Sequence, residues 1–367
     1  MRAAALTLVA LGMAQAALAD TTSTAGLVDK YGLVESTTPV AALPNWRKPQ
    51  RIVVDSAVPG LLAAVREAAP GVNIVAAQNV AEMAAARADA AIGRTSVICD
   101  DSVLASGRNL RWLQSIYSGI EDCIGKRRLQ SGEVLLTNMR AVAGPIIAEH
   151  TIAMLLALSR GLHRSIPQQA NGELSDDYRT NPLVVLQGKT LLVVGLGGIG
   201  TEVAKRAEAL GMQVIATRAS SKPAPSFVKY VGKPAELTSL IATADVVVNT
   251  APLTAATQGM FDAGMFARMK TSAYFVNVAR GGAVVTDDLV AALQSQRIAG
   301  AALDVTDPEP LPKNHPLWRM PNVILTPHVA GMSDLGDEAQ REVVGENLRR
   351  YIAGERMLSV VDLEREY

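Results

Sequence analysis

One run constrains this chain more than any other: Leu191-Leu192-Val193-Val194-Gly195-Leu196-Gly197-Gly198-Ile199-Gly200. An apolar, β-branched stretch leads into glycines spaced G-x-G-x-x-G, and TEVAKRAEALG continues with the pattern of a helix. A strand that turns on glycines straight into a helix is the entry of a dinucleotide-binding βαβ unit, whereas the same glycines without that context carry little. Gly195 allows the tight turn, Gly197 lets backbone approach a pyrophosphate, and Gly200 permits close helix–strand packing. An anion there would sit on the helix N-terminus, where free N–H groups and the helix dipole favour it.

Such a unit needs parallel neighbours. Short apolar runs recur at 51–54, 73–76, 88–92, 113–115 and 134–137, and again at 190–194, 214–217, 246–250, 273–278, 301–305 and 323–326. Helix-length segments separate many of them, among them 61–69, 199–210, 234–243, 264–270 and 287–295. Strands alternating with helices predict an α/β fold with parallel sheets. The spacing predicts a long apolar helix over 148–162 and a final helix over about 334–354. Residues 20–50 read as irregular, punctuated by Pro39, Pro44 and Pro49. Thr286 is a candidate N-cap, with Asp287 and Asp288 in the first turn of its helix. At 367 residues, 49% of them hydrophobic, the chain has material for two cored domains.

Chemistry gathers in the second series. The strand after the glycine-rich turn would end beside the ribose, where an acid binds the 2′-hydroxyl of NAD. Here it runs into Arg218-Ala219-Ser220-Ser221-Lys222. A cation with hydroxyls suits a 2′-phosphate, so Arg218 and Ser220 favour NADP(H) and leave NAD(H) open. Arg280 follows an apolar strand in NVARGG, acids follow another in LDVTDPEPLP, and His328 follows a third in LTPHVAG. The carboxyl ends of parallel strands are where open α/β sheets bind ligands. A guanidinium grips a carboxylate in bidentate fashion. A histidine moves a proton near neutral pH, and a carboxylate such as Glu309 orients it.

From Leu113 to Gly331 the chain resembles the D-isomer-specific 2-hydroxyacid dehydrogenases. The resemblance lies in LQSIYSGIED, TNMRAVAGPIIAEHTIAMLLALSR, GLGGIG, NTAPLTAAT, NVARGGAVV, AGAALDVTDPEPLP, HPLW and LTPHVAG. It implies Arg280, Glu309 and His328 as the catalytic residues. It also implies Val278, Ala279 and Asp304 on the nicotinamide side, Gly198 and Ile199 at the pyrophosphate, and Ser118 and Gly119 with backbone N–H groups facing the substrate. The implied reaction transfers a hydride between a nicotinamide dinucleotide and C2 of a small 2-oxo or D-2-hydroxy acid. Arg218 and HPLW resemble the NADPH-using glyoxylate/hydroxypyruvate reductases within the family. The implied architecture is two doubly wound parallel-sheet domains. A flavodoxin-like substrate domain (25–144 with 335–367) would flank a Rossmann cofactor domain (145–334), and the assembly would be a homodimer. Two alternatives remain: an NAD-preferring dehydrogenase, or a catalytically weak dinucleotide-sensing protein of the same fold.

Other features narrow the class. Lys+Arg 35 against Asp+Glu 35 gives no basic surplus to attract nucleic acid or anionic lipid. No later stretch reaches the ~18 apolar residues of a membrane span. Two cysteines and four histidines show no metal-ligand spacing, so no metal is expected. Cys99 and Cys123 read as buried small hydrophobes rather than a pair, though an oxidising compartment would open a disulfide to them. Met1–Asp20 carries a charged start, an apolar middle and Ala17-Leu18-Ala19, which read as a secretory signal spanning 1–19. That points to export, where the family resemblance implies the cytoplasm. His150 reads as packing between domains rather than reacting, and His163 and His315 have no visible partner. The stripe Ile152, Leu155, Leu156, Leu158 and Leu162 reads as core or dimer contact. Tyr117 and Trp318 are candidates to line the substrate pocket.

Overall fold

A computed structural model describes residues 26–140, 142–173 and 182–363. The expected signal segment, 1–19, lies outside them. Two compact units emerge, one drawn from Met1–Val142 with Ser333–Tyr367, the other from Ala143–Met332.

In the first unit, β1 (Glu35–Pro39) is followed by β2 (Arg51–Asp55), β3 (Asn73–Ala77), β4 (Ala90–Gly93), β5 (Trp112–Ser115) and β6 (Leu135–Thr137). The last five form a parallel sheet in the order β3-β2-β4-β5-β6. This is the flavodoxin-like winding, which reverses direction between its first and third strands. The Gly336–Ala353 helix lays Val343, Val344, Leu348 and Tyr351 into the core, and Tyr351 stacks on Trp112 at 4.6 Å.

The second unit holds β7 (Thr190–Val194), β8 (Gln213–Thr217), β9 (Tyr230–Gly232), β10 (Val246–Asn249), β11 (Tyr274–Asn277), β12 (Gly300–Leu303) and β13 (Val323–Leu325). They pair in the order β13-β12-β11-β10-β7-β8-β9, all parallel, so the winding reverses between β7 and β10. Strands buried on both faces read as continuous apolar runs, and VVVN of β10 is buried at every position.

Several expectations need correction. Residues 35–39 are a strand, paired antiparallel with β14 (Arg356–Leu358). ESTTP is polar and mostly exposed, so it carries no alternation to read. β9 is a three-residue strand, too short to show a period. The long apolar helix is Gly144–Ser159, and a second, Leu162–Ala170, follows left-handed Gly161. Thr286 begins the Thr286–Gln294 helix but does not cap it; its hydroxyl donates to Asp307 O at 2.6 Å. Cys99 and Cys123, both fully buried, are joined in a disulfide with Cα atoms 5.1 Å apart. The fold brings the end of the Thr95–Ile98 helix to the Glu121–Cys123 turn, a contact that 24 residues of separation conceal. Among the described residues, no helix is long and apolar enough to cross a membrane.

Candidate active site

The glycine-rich turn joins β7 to the Gly198–Ala209 helix. Gly195 has φ +96°, a left-handed conformation, and a Cβ there would lie 2.7 Å from the Ala251 backbone. At Gly200 a Cβ would lie 2.4 Å from Gly195 O and 2.9 Å from Val193 Cγ1. Only hydrogen fits at this approach of helix to strand. A Cβ on Gly197 would meet nothing within 4 Å, so the backbone there faces open space. Gly198 and Ile199 open the helix, whose first N–H groups have no carbonyl within it. The cradle therefore fits a dinucleotide pyrophosphate. Thr250 follows β10 and donates to Gly195 O at 2.7 Å, bracing the turn from the neighbouring strand.

Arg280, Glu309 and His328 follow three adjacent strands, β11, β12 and β13, at their carboxyl edge. His328 Nδ1 lies 2.6 Å from Glu309 Oε1, with both side chains partly open to solvent. Glu309 Oε2 also accepts the Thr306 N–H at 3.3 Å. With Nδ1 committed to the carboxylate, Nε2 is the nitrogen left for proton exchange. Arg280 is half-buried, and its Nη1 donates to Ala279 O at 2.7 Å. Its neighbour Gly281 is obligatory, because a Cβ would stand 2.0 Å from Thr306 O. Val278 and Ala279 are buried beside it.

Two buried asparagines stitch this edge together. Asn249 Nδ2 donates to Asn277 Oδ1 at 3.0 Å, and Asn277 Nδ2 to Arg280 O at 2.9 Å. Their amide oxygens accept the Ala251 and Ala279 N–H groups. An asparagine closes each of two apolar strands, in VVVN and YFVN, and this is the sequence signal that marks them. Asp304 is buried too, and its carboxylate accepts the N–H groups of Val329 and Ala330, both at 3.0 Å.

At the end of β8, the Arg218 guanidinium turns onto its own loop and donates to the carbonyls of Lys222 and Pro223. Lys233, just after β9, is a second cation here that the sequence did not single out. Its Nζ lies 3.3 Å from Ala219 O, 3.4 Å from Ser220 O and 3.2 Å from Ser221 Oγ.

Ser118 and Gly119 belong to the first unit, on the loop after β5. Ser118 Oγ donates to Met139 O at 3.1 Å, and Ser118 O accepts from Asn138 Nδ2 at 2.8 Å. Tyr117 and Trp318 are half-exposed. His150 is half-buried and has polar partners, with Nε2 3.0 Å from Thr326 Oγ1. His163 Nδ1 lies 3.1 Å from Ala157 O, and His315 caps its own turn at Leu317 N. The apolar stripe divides: Leu155 and Leu158 are core, whereas Leu162 is 48% exposed.

Residues 152–330 match the family described as D-isomer specific 2-hydroxyacid dehydrogenase, NAD binding domain. A glyoxylate reductase/hydroxypyruvate reductase of Homo sapiens is 33% identical over 273 residues, 71% of this chain and 79% of that protein. The chain belongs to the D-isomer specific 2-hydroxyacid dehydrogenases. A glyoxylate reductase of Thermofilum pendens is 32% identical over 269 residues, 72% of this chain and 78% of that protein. Among solved structures, an NADPH-dependent glyoxylate/hydroxypyruvate reductase of Sinorhizobium meliloti, in complex with NADP and malonate, superimposes with a TM-score of 0.69. It is 27% identical and covers 86% of this chain and 98% of its own. Membership makes this D-2-hydroxyacid dehydrogenase an enzyme that works with a nicotinamide dinucleotide.

Proposed function

We propose that this dehydrogenase reduces a small 2-oxo acid of the glyoxylate or hydroxypyruvate type to the D-2-hydroxy acid, with NADPH. The observation that carries the reading is the 2.6 Å contact of His328 Nδ1 with Glu309 Oε1 on the carboxyl edge of the dinucleotide-binding sheet. Gly195, Gly197, Gly198, Ile199 and Gly200 would hold the pyrophosphate, with Val278, Ala279 and Asp304 on the nicotinamide side. When bound, the reduced cofactor supplies the hydride equivalent that C2 receives. Arg280 grips the substrate carboxylate with its planar fork and polarises the carbonyl. On the family resemblance, the backbone N–H groups at Ser118 and Gly119 would serve that carboxylate. His328 delivers a proton from Nε2 to the oxygen on C2, while Glu309 keeps the ring oriented through Nδ1–H. In oxidation the neutral ring takes that proton back.

The NADPH preference rests on Arg218, Ser220 and the nearby Lys233, which together suit a 2′-phosphate. A second reading, NAD(H), is favoured by one observation: loop carbonyls already engage the Arg218 guanidinium. Export is part of the proposal. The signal-like segment of 1–19 and the Cys99–Cys123 disulfide both suit an oxidising compartment. A homodimer is expected on the family resemblance.

The test is a panel of 2-oxo acids assayed at the reduced-nicotinamide absorbance with NADPH and with NADH. Turnover of glyoxylate or hydroxypyruvate, faster with NADPH, is the expected result. Saturable dinucleotide binding without turnover of any 2-oxo acid overturns it.

A further inference from the structure

Behind the groups that would touch the substrate runs a polar chain whose hydrogen bonds the proton transfer above does not use, and it ends at Asp304, the residue placed on the nicotinamide side. His150 sits on the Gly144–Ser159 helix, whose Ala148, Leu155 and Leu158 are buried in an apolar core. Its Nε2 is 3.0 Å from Thr326 Oγ1 and 3.7 Å from Asp304 Oδ1. Thr326 Oγ1 in turn lies 2.6 Å from Asp304 Oδ1. A threonine hydroxyl has one proton to give, and the carboxylate takes it. The hydroxyl then accepts from His150, which assigns the imidazole proton to Nε2. The direction of the chain is therefore His150 to Thr326 to Asp304.

Asp304 ends that chain and begins another set of bonds. Oδ1 accepts the Val329 N–H and Oδ2 the Ala330 N–H, each at 3.0 Å, while its main-chain oxygen accepts the His328 N–H at 2.8 Å. Three consecutive N–H groups, 328 to 330, thus close on one buried residue. The first of them, His328, holds φ +54°, the left-handed region that residues with a Cβ avoid. Such a conformation persists only where the surroundings over-determine it, and it clusters where chemistry needs a fixed side chain. Thr326 ties this loop to the helix, through His150 Nε2 at 3.0 Å and, more weakly, through Met154 Sδ at 3.7 Å.

We infer that His150, Thr326 and Asp304 form a positioning relay for His328. Asp304 holds the backbone on which the imidazole is mounted. Thr326 spends its one proton holding the Asp304 carboxylate in that grip, and His150 anchors Thr326 to the helix. The inference rests on the reading of His328 as the acid–base group. None of the three needs to touch the substrate: their effect is where Nε2 of His328 stands relative to the oxygen on C2. Displacements of about 1 Å at such a group lower rates by up to ~10²-fold.

Thr326→Val removes the hydroxyl and keeps the shape. The expected result is kcat lowered roughly 10- to 100-fold, with KM for the 2-oxo acid changed less than about threefold and dinucleotide affinity unchanged. The solvent deuterium isotope effect on kcat should rise, because a displaced acid slows the proton step more than the others. Thr326→Ser retains the donor and should restore kcat. His150→Gln, which retains an N–H donor, should outperform His150→Leu. Active sites are counted by dinucleotide titration, so loss of folded protein does not register as loss of kcat. His328→Ala is assayed alongside. Near-normal kcat in His328→Ala sinks the acid–base reading and the relay with it. If His328→Ala is crippled while Thr326→Val keeps a wild-type kcat and isotope effect, the relay alone is wrong. Should Thr326→Val fail to fold, equal kcat in His150→Leu and wild type overturns the relay. Parallel losses of kcat, substrate affinity and dinucleotide affinity also overturn it, since they mark general loosening rather than positioning.

Discussion

The carboxyl edges of the two parallel sheets are held by different chemistry. In the cofactor unit the supports are neutral amides and one carboxylate: Asn249, Asn277 and Asp304, all buried and all bonded to loop backbone. In the other unit buried Asn138 does the same for Ser118, but an ion pair and a covalent bond are added to it. Arg94 donates to fully buried Asp55 through Nε at 2.7 Å and Nη2 at 3.1 Å, and the Cys99–Cys123 disulfide closes the turn that follows Ser118 and Gly119. Gly93 permits the ion pair, since a Cβ there would lie 2.4 Å from Asp55 Cβ. The difference follows what each edge presents. Ser118 and Gly119 would offer backbone N–H groups, which need only a loop that stays put. His328 would offer a ring that must hold a rotamer and a tautomer. That demands directional hydrogen bonds to the peptide groups around it.

This contrast can be broken at either edge. The largest effect is expected at His328. His328→Ala should lower kcat by ~10²–10⁴-fold while dinucleotide binding stays largely intact, as read by steady-state rates and direct titration. Next comes the covalent support. Cys99→Ser with Cys123→Ser should lower stability by about 3.5 kcal/mol, the chain-entropy value for a loop of this length. Denaturant midpoints would check it, and KM for the 2-oxo acid should rise more than kcat falls. Loss of kcat at constant KM would place this support in the chemistry instead and erase the distinction.

Cofactor choice is a smaller effect at the cofactor edge. Wild type should favour NADPH over NADH by ~5–150-fold in kcat/KM, and Arg218→Asp should reverse this by repelling the phosphate and accepting from a hydroxyl. Equal use of both dinucleotides, unchanged in the variant, removes Arg218 from recognition. The smallest effect lies at the opposite, amino-terminal end of the same sheet. There Asp245 accepts Thr190 N–H at 2.8 Å and Lys270 Nζ at 2.9 Å. Burial pushes the Asp245 carboxyl up, but these two donors outweigh it and hold the group below its ordinary range. A depressed folded value means stability present above the unfolded value of about 3.9 and lost as pH falls through the folded one. Asp245→Asn should therefore cost about 1 kcal/mol at pH 7, with part of the ion pair screened by solvent, and the difference should fade below pH ~4. A gap in thermal midpoints that stays constant from pH 7 to pH 3 would contradict this assignment.

Much of both units was legible because parallel strands buried on two faces declare themselves as short apolar runs. β7, β10 and β11 lie within a residue or two of their expected bounds for that reason. Arg280, Glu309 and His328 were legible as residue types placed just after such runs, and Gly195 and Gly200 as glycines where a turn and a close approach leave no room for a Cβ. The strand Glu35–Pro39 was not, because pairing with Arg356–Leu358 across the chain needs no local pattern. Nor was the support beneath the site. Asn249 and Asn277 are ordinary letters until adjacent strands bring their amides within 3.0 Å.

The sequence by itself determined the alternation of strands and helices, the dinucleotide turn and the residue types at the carboxyl edge, since all of these follow from local period and local sterics. Only the tertiary structure decided which groups hold one another: Cys99 with Cys123, His150 with Thr326, and Asp304 with the N–H groups of residues 328 to 330. Those partners are 24, 176 and at least 24 residues apart, and hydrogen bonds and disulfides act over a few ångströms of space, for which separation along the chain is no guide.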